Sequence, residues 1–113
     1  MSAPTSKADA ARRFAALGDP QRLGLIDALA SGDSQSISQL GTRATISRQA
    51  LTKHLRVLER AGLVRGARFG REMRFSIERE ALAEATRFLA HVEGQWTDAL
   101  ARLKKQFETN PSS

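Results

Sequence analysis

The chain has no cysteine, which excludes disulfides, thiolate metal sites, thiol nucleophiles and cysteine redox switches. No apolar run approaches the ~20 residues a membrane-spanning helix needs, and Met1 to Ala10 contain no apolar stretch of the signal-peptide kind. A soluble, cytoplasmic protein with no membrane partner is the expectation. A phosphate-cradling glycine loop and a paired-carboxylate motif are also missing, and the two histidines, His54 and His91, fall in different segments. Enzyme chemistry is not expected, no catalytic residue is named and no cofactor is implied. Acidic residues are in deficit: 12 Asp and Glu face 18 Lys and Arg, a formal charge of +6. That balance favours a polyanionic partner, of which nucleic acid is the commonest, without requiring one.

The 113 residues suffice for one compact domain with a modest core, expected over 7–107, with flexible ends at 1–6 and 108–113. Ser6 followed by Asp9 forms a capping pair for a first helix, Lys7 to Leu17, with Ala10, Phe14 and Leu17 on its apolar face and Gly18 ending it. Asp19-Pro20 restarts the chain as a second helix, since Asp caps free amides and Pro at the first helical position has no amide to satisfy. That helix is predicted to reach about Ala30 with Leu23, Ile26 and Leu29 inward, and Gly32 terminates it. Ser36 and Gln39 have the spacing of a capping box for a short third helix that stops near Arg43, with Ile37 and Leu40 buried. Ser47 caps a fourth helix running to about Arg60.

The fourth helix divides into two arcs at ~100° per residue. Ala50, Leu51, Leu55, Val57, Leu58 and Ala61 share one, with His54 among them; Arg48, Gln49, Thr52, Lys53, Arg56, Glu59 and Arg60 share the other. A polar arc of amide, hydroxyl and cationic groups with a single acid is either a solvated face or a surface that reads base edges in the major groove. Beyond Gly62, the stretch Leu63 to Ile77 reads as a β-hairpin. Met73, Phe75 and Ile77 alternate with Glu72, Arg74 and Ser76, and Gly70-Arg71 suits a tight turn needing positive φ at its first central residue. Nine of the 18 basic residues lie between Arg43 and Arg74, opposed only by Glu59 and Glu72.

A short helix, a turn, a cationic helix and an arginine-tipped hairpin together predict a mainly α fold with a β-hairpin wing, a winged helix-turn-helix of order α-α-α-α-β-β-α. Its partner is then double-stranded DNA. Residues near the N-terminus of a recognition helix reach the bases, so Ser47, Arg48, Gln49, Thr52 and Lys53 are the candidate contacts, with Arg56 at a phosphate. Arg68 and Arg71 are the wing candidates, and Arg71 at the tip is placed to enter an adjacent minor groove.

The stretches Phe14-Ala-Ala-Leu-Gly-Asp-Pro-Gln-Arg-Leu23 and His54-Leu-Arg-Val-Leu58 through Ala61-Gly-Leu-Val64, with Gly70-Arg71, resemble the ArsR/SmtB family of winged-helix repressors over about Ala11 to Lys104. The resemblance implies a homodimer built from the first and last helices, with Phe14 in the interface, and repression of a target operon. It also places His54 inward. Departures from the family matter too. Its arsenic, cadmium and lead sensors use cysteines, absent here. Its zinc sensors pair histidines on the last helix, where this chain has His91 alone and Arg102 in the second position. No metal site is expected, and the small-molecule effector is unassigned.

From about Glu80 to Phe107, apolar residues recur at Leu82, Ala85, Leu89, Val92, Trp96, Ala99 and Leu103, the three-four alternation of a helix-helix seam. Phe88, Leu100 and Phe107 widen it. Trp96 is core filler or an interface anchor, the second preferred. A two-fold dimer would present two recognition helices one DNA turn apart and read a palindromic operator. Two other functions compete with a metal-independent repressor: a ligand- or metal-responsive sensor of the same fold, and a winged-helix module whose basic face binds an acidic protein.

Overall fold

The structure is a computed structural model that describes residues 6–109. Of the flexible ends expected at 1–6 and 108–113, all but Ser6, Glu108 and Thr109 lie outside the described residues; Ser6 is a helix cap, and the last helix runs on through Thr109.

Eight elements follow one another: α1 (Lys7–Leu17), α2 (Pro20–Leu29), β1 (Gln35–Ser36), α3 (Ile37–Gly41), α4 (Arg48–Arg60), β2 (Val64–Phe69), β3 (Glu72–Ile77) and α5 (Arg79–Thr109). The helix starts are where the cap residues put them. The Ser6 hydroxyl accepts from the Asp9 amide, Asp19 accepts from Gln21 and Arg22, and Ser47 accepts from Ala50. The capping box is complete at Ser36, whose hydroxyl accepts from the Gln39 amide at 3.1 Å while its own amide donates to Gln39 Oε1 at 2.9 Å. Gly62, at φ 76°, closes α4. Its amide reaches Glu59 O and the next, Leu63, reaches Leu58 O, so two terminal carbonyls are satisfied before the chain turns into β2.

Two expectations need correction. The hairpin is part of a three-stranded antiparallel sheet of order β1-β3-β2, with Gln35 opposite Phe75 and Ser36 opposite Arg74, so the order is α-α-β-α-α-β-β-α. In α2, Leu25 and Leu29 are buried and Ile26 packs beside them, whereas Leu23 is 52% exposed. The helix carries apolar residues on every face (Leu23, Leu25, Ile26, Ala28, Leu29), and periodicity alone does not choose among them. The third helix ends at Gly41, within the limit expected near Arg43, and single turn bonds continue to Ala44.

The core joins Ala16, Leu25, Leu29, Leu40, Leu51, Leu55, Leu58, Leu63, Val64 and Phe75, so that every element from α1 to β3 contributes at least one side chain to it or flanks one that does. Phe75 is fully buried and sits under Gly66 of the opposite strand, where an added Cβ would lie 2.9 Å from its Cε1. The absence of a side chain at Gly66 is what lets the hairpin lie flat on α4. Among the described residues, no helix is long and apolar enough to cross a membrane.

Candidate nucleic-acid interface

Helix α4 buries Leu51, Leu55 and Leu58 and turns Arg48, Gln49, Lys53 and Arg56 to solvent. Thr52 is half-buried and its hydroxyl donates to the Arg48 carbonyl at 2.9 Å, which leaves its oxygen to accept. The Ser47 oxygen is taken by the Ala50 amide, so the proton of its exposed hydroxyl is the group left to offer a phosphate.

His54, on the same helix, is turned inward with 22% of its side chain exposed. It meets Arg22 Nη1 at 3.2 Å, and Arg22 Nε in turn donates to the Ala16 carbonyl. Asp19 lies 4.0 Å from the imidazole. The carboxyl of Asp19 is held below the ordinary carboxylate range, first by the Arg22 amide and then by the Gln21 amide and the nearby Arg22 and His54 charges, against the opposing effect of burial. A carboxyl whose folded pKa is lowered contributes its stability above the unfolded pKa and loses it as pH falls through the folded value. Asp19→Asn keeps a good cap but removes the titration. Melting temperature followed from pH 7 to pH 3 should therefore fall less steeply for Asp19→Asn than for the parent; identical profiles would show that the cap carries no pH dependence.

The wing turns at Gly70-Arg71, with Phe69 paired to Glu72 and Gly70 at φ 63°, the positive φ that a two-residue turn wants at its first central position. Its arginines do different work. Arg74 is drawn back into the fold: its Nη2 donates to the Ser34 carbonyl at 2.9 Å and its Nε to Ser34 Oγ at 3.1 Å, with Glu72 at 3.5 Å. Arg65 pairs with Glu78 at 2.9 Å, and on α4 Arg56 pairs with Glu59 at 2.8 Å. Arg43, Arg48, Lys53, Arg60, Arg68 and Arg71 form no ion pair among the described residues. The unpaired charge is thus concentrated on the outward face of α4, at the turn before it and at the wing tip.

Of the residues expected at a dimer seam, Phe14 stacks at 5.8 Å on Phe88, and Arg13 meets Glu84 at 2.6 Å, which fastens α1 to the first part of α5. Ala85 is buried within the protomer and Leu82 packs on its core. Farther along, Leu89, Val92, Trp96 and Leu103 are exposed, as are Leu100 and Phe107, and Ala99 is half-buried. His91 is exposed, and no group of three or more His, Cys, Asp or Glu is placed to hold a metal among the described residues.

A helical body that presents a basic, amide-bearing helix beside an arginine-tipped hairpin defines a winged helix-turn-helix protein. Residues 17–67 match the family described as Helix-turn-helix domain. The chain is 41% identical over 64 residues to the uncharacterized HTH-type transcriptional regulator YuzN of Bacillus subtilis, covering 51% of this chain and 70% of that protein. Its structure superimposes with a TM-score of 0.76 on an ArsR-like transcriptional regulator from Rhodococcus sp. RHA1, at 38% identity over 87% of this chain and 92% of the other. The homodimeric winged helix-turn-helix DNA-binding domain of Mb0332 from Mycobacterium bovis shares the fold, with a TM-score of 0.61 at 24% identity over 89% and 95% of the two chains. The chain belongs to the ArsR family of winged helix-turn-helix, DNA-binding transcriptional regulators.

Proposed function

We propose that this regulator is a homodimeric repressor in which residues 7–107 form one DNA-binding and dimerisation domain that recognises a palindromic operator. The observation that carries the reading is the distribution of unpaired charge: Arg48 and Lys53 on the exposed half of α4, and Arg68 and Arg71 at the end of the wing, have no acidic partner to compete with phosphate or base. In this reading Arg48, Gln49, Thr52 and Lys53 meet base edges, Ser47 and Arg56 meet phosphates, Arg68 flanks the groove and Arg71 enters it. The exposed apolar stripe of α5, joined by Phe14 and Phe88, pairs two copies. No metal, cofactor or catalytic step enters the proposal.

The test is selection of bound duplexes from a random pool, which should return an inverted repeat with half-site centres about one helical turn apart. On the selected duplex, Gln49→Ala should flatten preference at particular base pairs, by about 1–3 kcal/mol of discrimination each. Arg71→Ala should instead weaken all duplexes alike and reduce the salt slope by about one unit. A single, non-repeated site, or equal losses on random and selected DNA in both variants, would remove the assignment.

A further inference from the structure

The wing ends in a residue that its charge does not explain. Phe69 is the last residue of β2 and is 57% exposed, while Phe75, three pairs back and on the neighbouring strand, is fully buried. Residues 67–72 are all exposed, whereas Met73, opposite Arg68, still packs on the core from the inner face, so the hairpin stands free on its outer face from Ala67 and on both faces at the Phe69–Glu72 pair and the turn beyond it. From that pair to the Phe69–Glu72 pair is three residue steps, about 10 Å at ~3.3 Å per residue. The minor groove of B-DNA is about 7.5 Å deep, a scale on which the exposed end of the hairpin, with the side chains of Phe69 and Arg71, can enter it.

The ring is also held. Phe69, Ala67, Glu72 and Arg74 share one face of the ribbon through the Ala67–Arg74 and Phe69–Glu72 pairs. Arg74, itself anchored on Ser34, places its guanidinium 6.0 Å from the centre of the Phe69 ring. An aromatic side chain backed in this way loses little rotamer freedom when it is inserted elsewhere. Beside it stand two unpaired arginines, Arg68 and Arg71, that would draw the tip toward the backbone of DNA.

We propose that Phe69 is an apolar wedge: as Arg71 enters the minor groove, the Phe69 ring presses between adjacent base pairs, partly unstacks them and bends the duplex away from the wing, toward the major groove. The selectivity this adds is for a deformable step beneath each wing, a pyrimidine–purine step being the easiest to open, at positions that α4 does not read. The proposal rests on the reading that places the wing on DNA.

The test uses the full chain, the tightest duplex from the random-pool selection, a fluorophore pair at its ends to report bending, and 2-aminopurine in the flank under the wing to report unstacking. Wild type should bend the duplex and brighten the 2-aminopurine. Phe69→Ala should lose the brightening and much of the bend and bind about tenfold more weakly, with an unchanged salt slope because no charge is removed. Phe69→Leu, which keeps an apolar wedge, should retain most of the bend. Phe69→Ala with wild-type bend and affinity, or a wild-type complex that leaves the 2-aminopurine quenched, overturns the wedge. Arg71→Ala separates the two levels: if it weakens binding and lowers the salt slope while Phe69→Ala changes nothing, only the wedge falls. If Arg71→Ala changes nothing either, the wing is off the DNA, and wedge and wing contact fall together.

Discussion

The doubly substituted Leu89→Glu/Trp96→Glu chain should sediment as a monomer at micromolar concentration and bind the selected operator about 10²–10⁴-fold more weakly than the parent, because two linked half-site contacts become one. Both residues are more than half exposed in the protomer, at 56% and 64%, so neither carboxylate should disturb the fold and far-ultraviolet circular dichroism should be unchanged. In a two-fold interface each substitution is made twice, and four carboxylates would meet in a stripe otherwise made of Val92, Ala99, Leu100, Leu103 and Phe107. Burying an unpaired charge costs several kcal/mol, more than the apolar contacts at either position supply. Sedimentation equilibrium with a parallel binding titration decides the matter. A persistent dimer would move the interface off α5, and a monomer with parental affinity would remove the need for two half-sites.

Phe75→Ala should destabilise the protein by about 3–5 kcal/mol, the range for removing a fully buried aromatic ring. The position is unusual in what it supports. Phe75 pairs with Gln35 on one side and Gly66 on the other, so its ring lies beneath all three strands. Gly66 has no side chain to fill the gap, and the next nearest groups over it are Met73 and the Glu59 carboxylate. The cavity would therefore be slow to collapse. Against a total of 5–15 kcal/mol for an ordinary domain, the loss should bring the midpoint of urea unfolding down sharply at fixed protein concentration. A loss under about 1 kcal/mol would mean the sheet repacks around the gap, contrary to the close approach at Gly66.

Local chemistry made much of this fold legible in the sequence. Ser6, Asp19, Ser36 and Ser47 begin helices because a short oxygen side chain satisfies amides two or three residues on, and such a signal needs nothing from the rest of the chain. The two arcs of α4 were equally readable, since its polar and apolar residues separate cleanly. What depends on distant partners was not. β1 has two residues, too few to carry an alternation, and exists because β3 has a free edge for it. Leu23 misleads because α2 is apolar all round. The arginines of the hairpin look alike as letters, yet Arg74 finds Ser34 forty positions away and Arg65 finds Glu78, which leaves Arg68 and Arg71 as the unpaired pair. An aromatic residue in a strand reads as core, yet the pairing puts Phe69 with Ala67 and Arg74 on the face opposite Phe75, at the exposed end of the hairpin.

The junction at Arg22 has a mechanical consequence. One guanidinium holds the last turn of α1 through the Ala16 carbonyl and the middle of α4 through His54, while its own amide is part of the Asp19 cap that starts α2. Three helix axes are pinned at a single hub. With α1 also fastened to α5 by Arg13–Glu84 and Phe14–Phe88, an unbroken run of side-chain contacts leads from the first part of α5 through α1 and the hub to α4, so α4 and α5 are braced against each other by a helix that touches both.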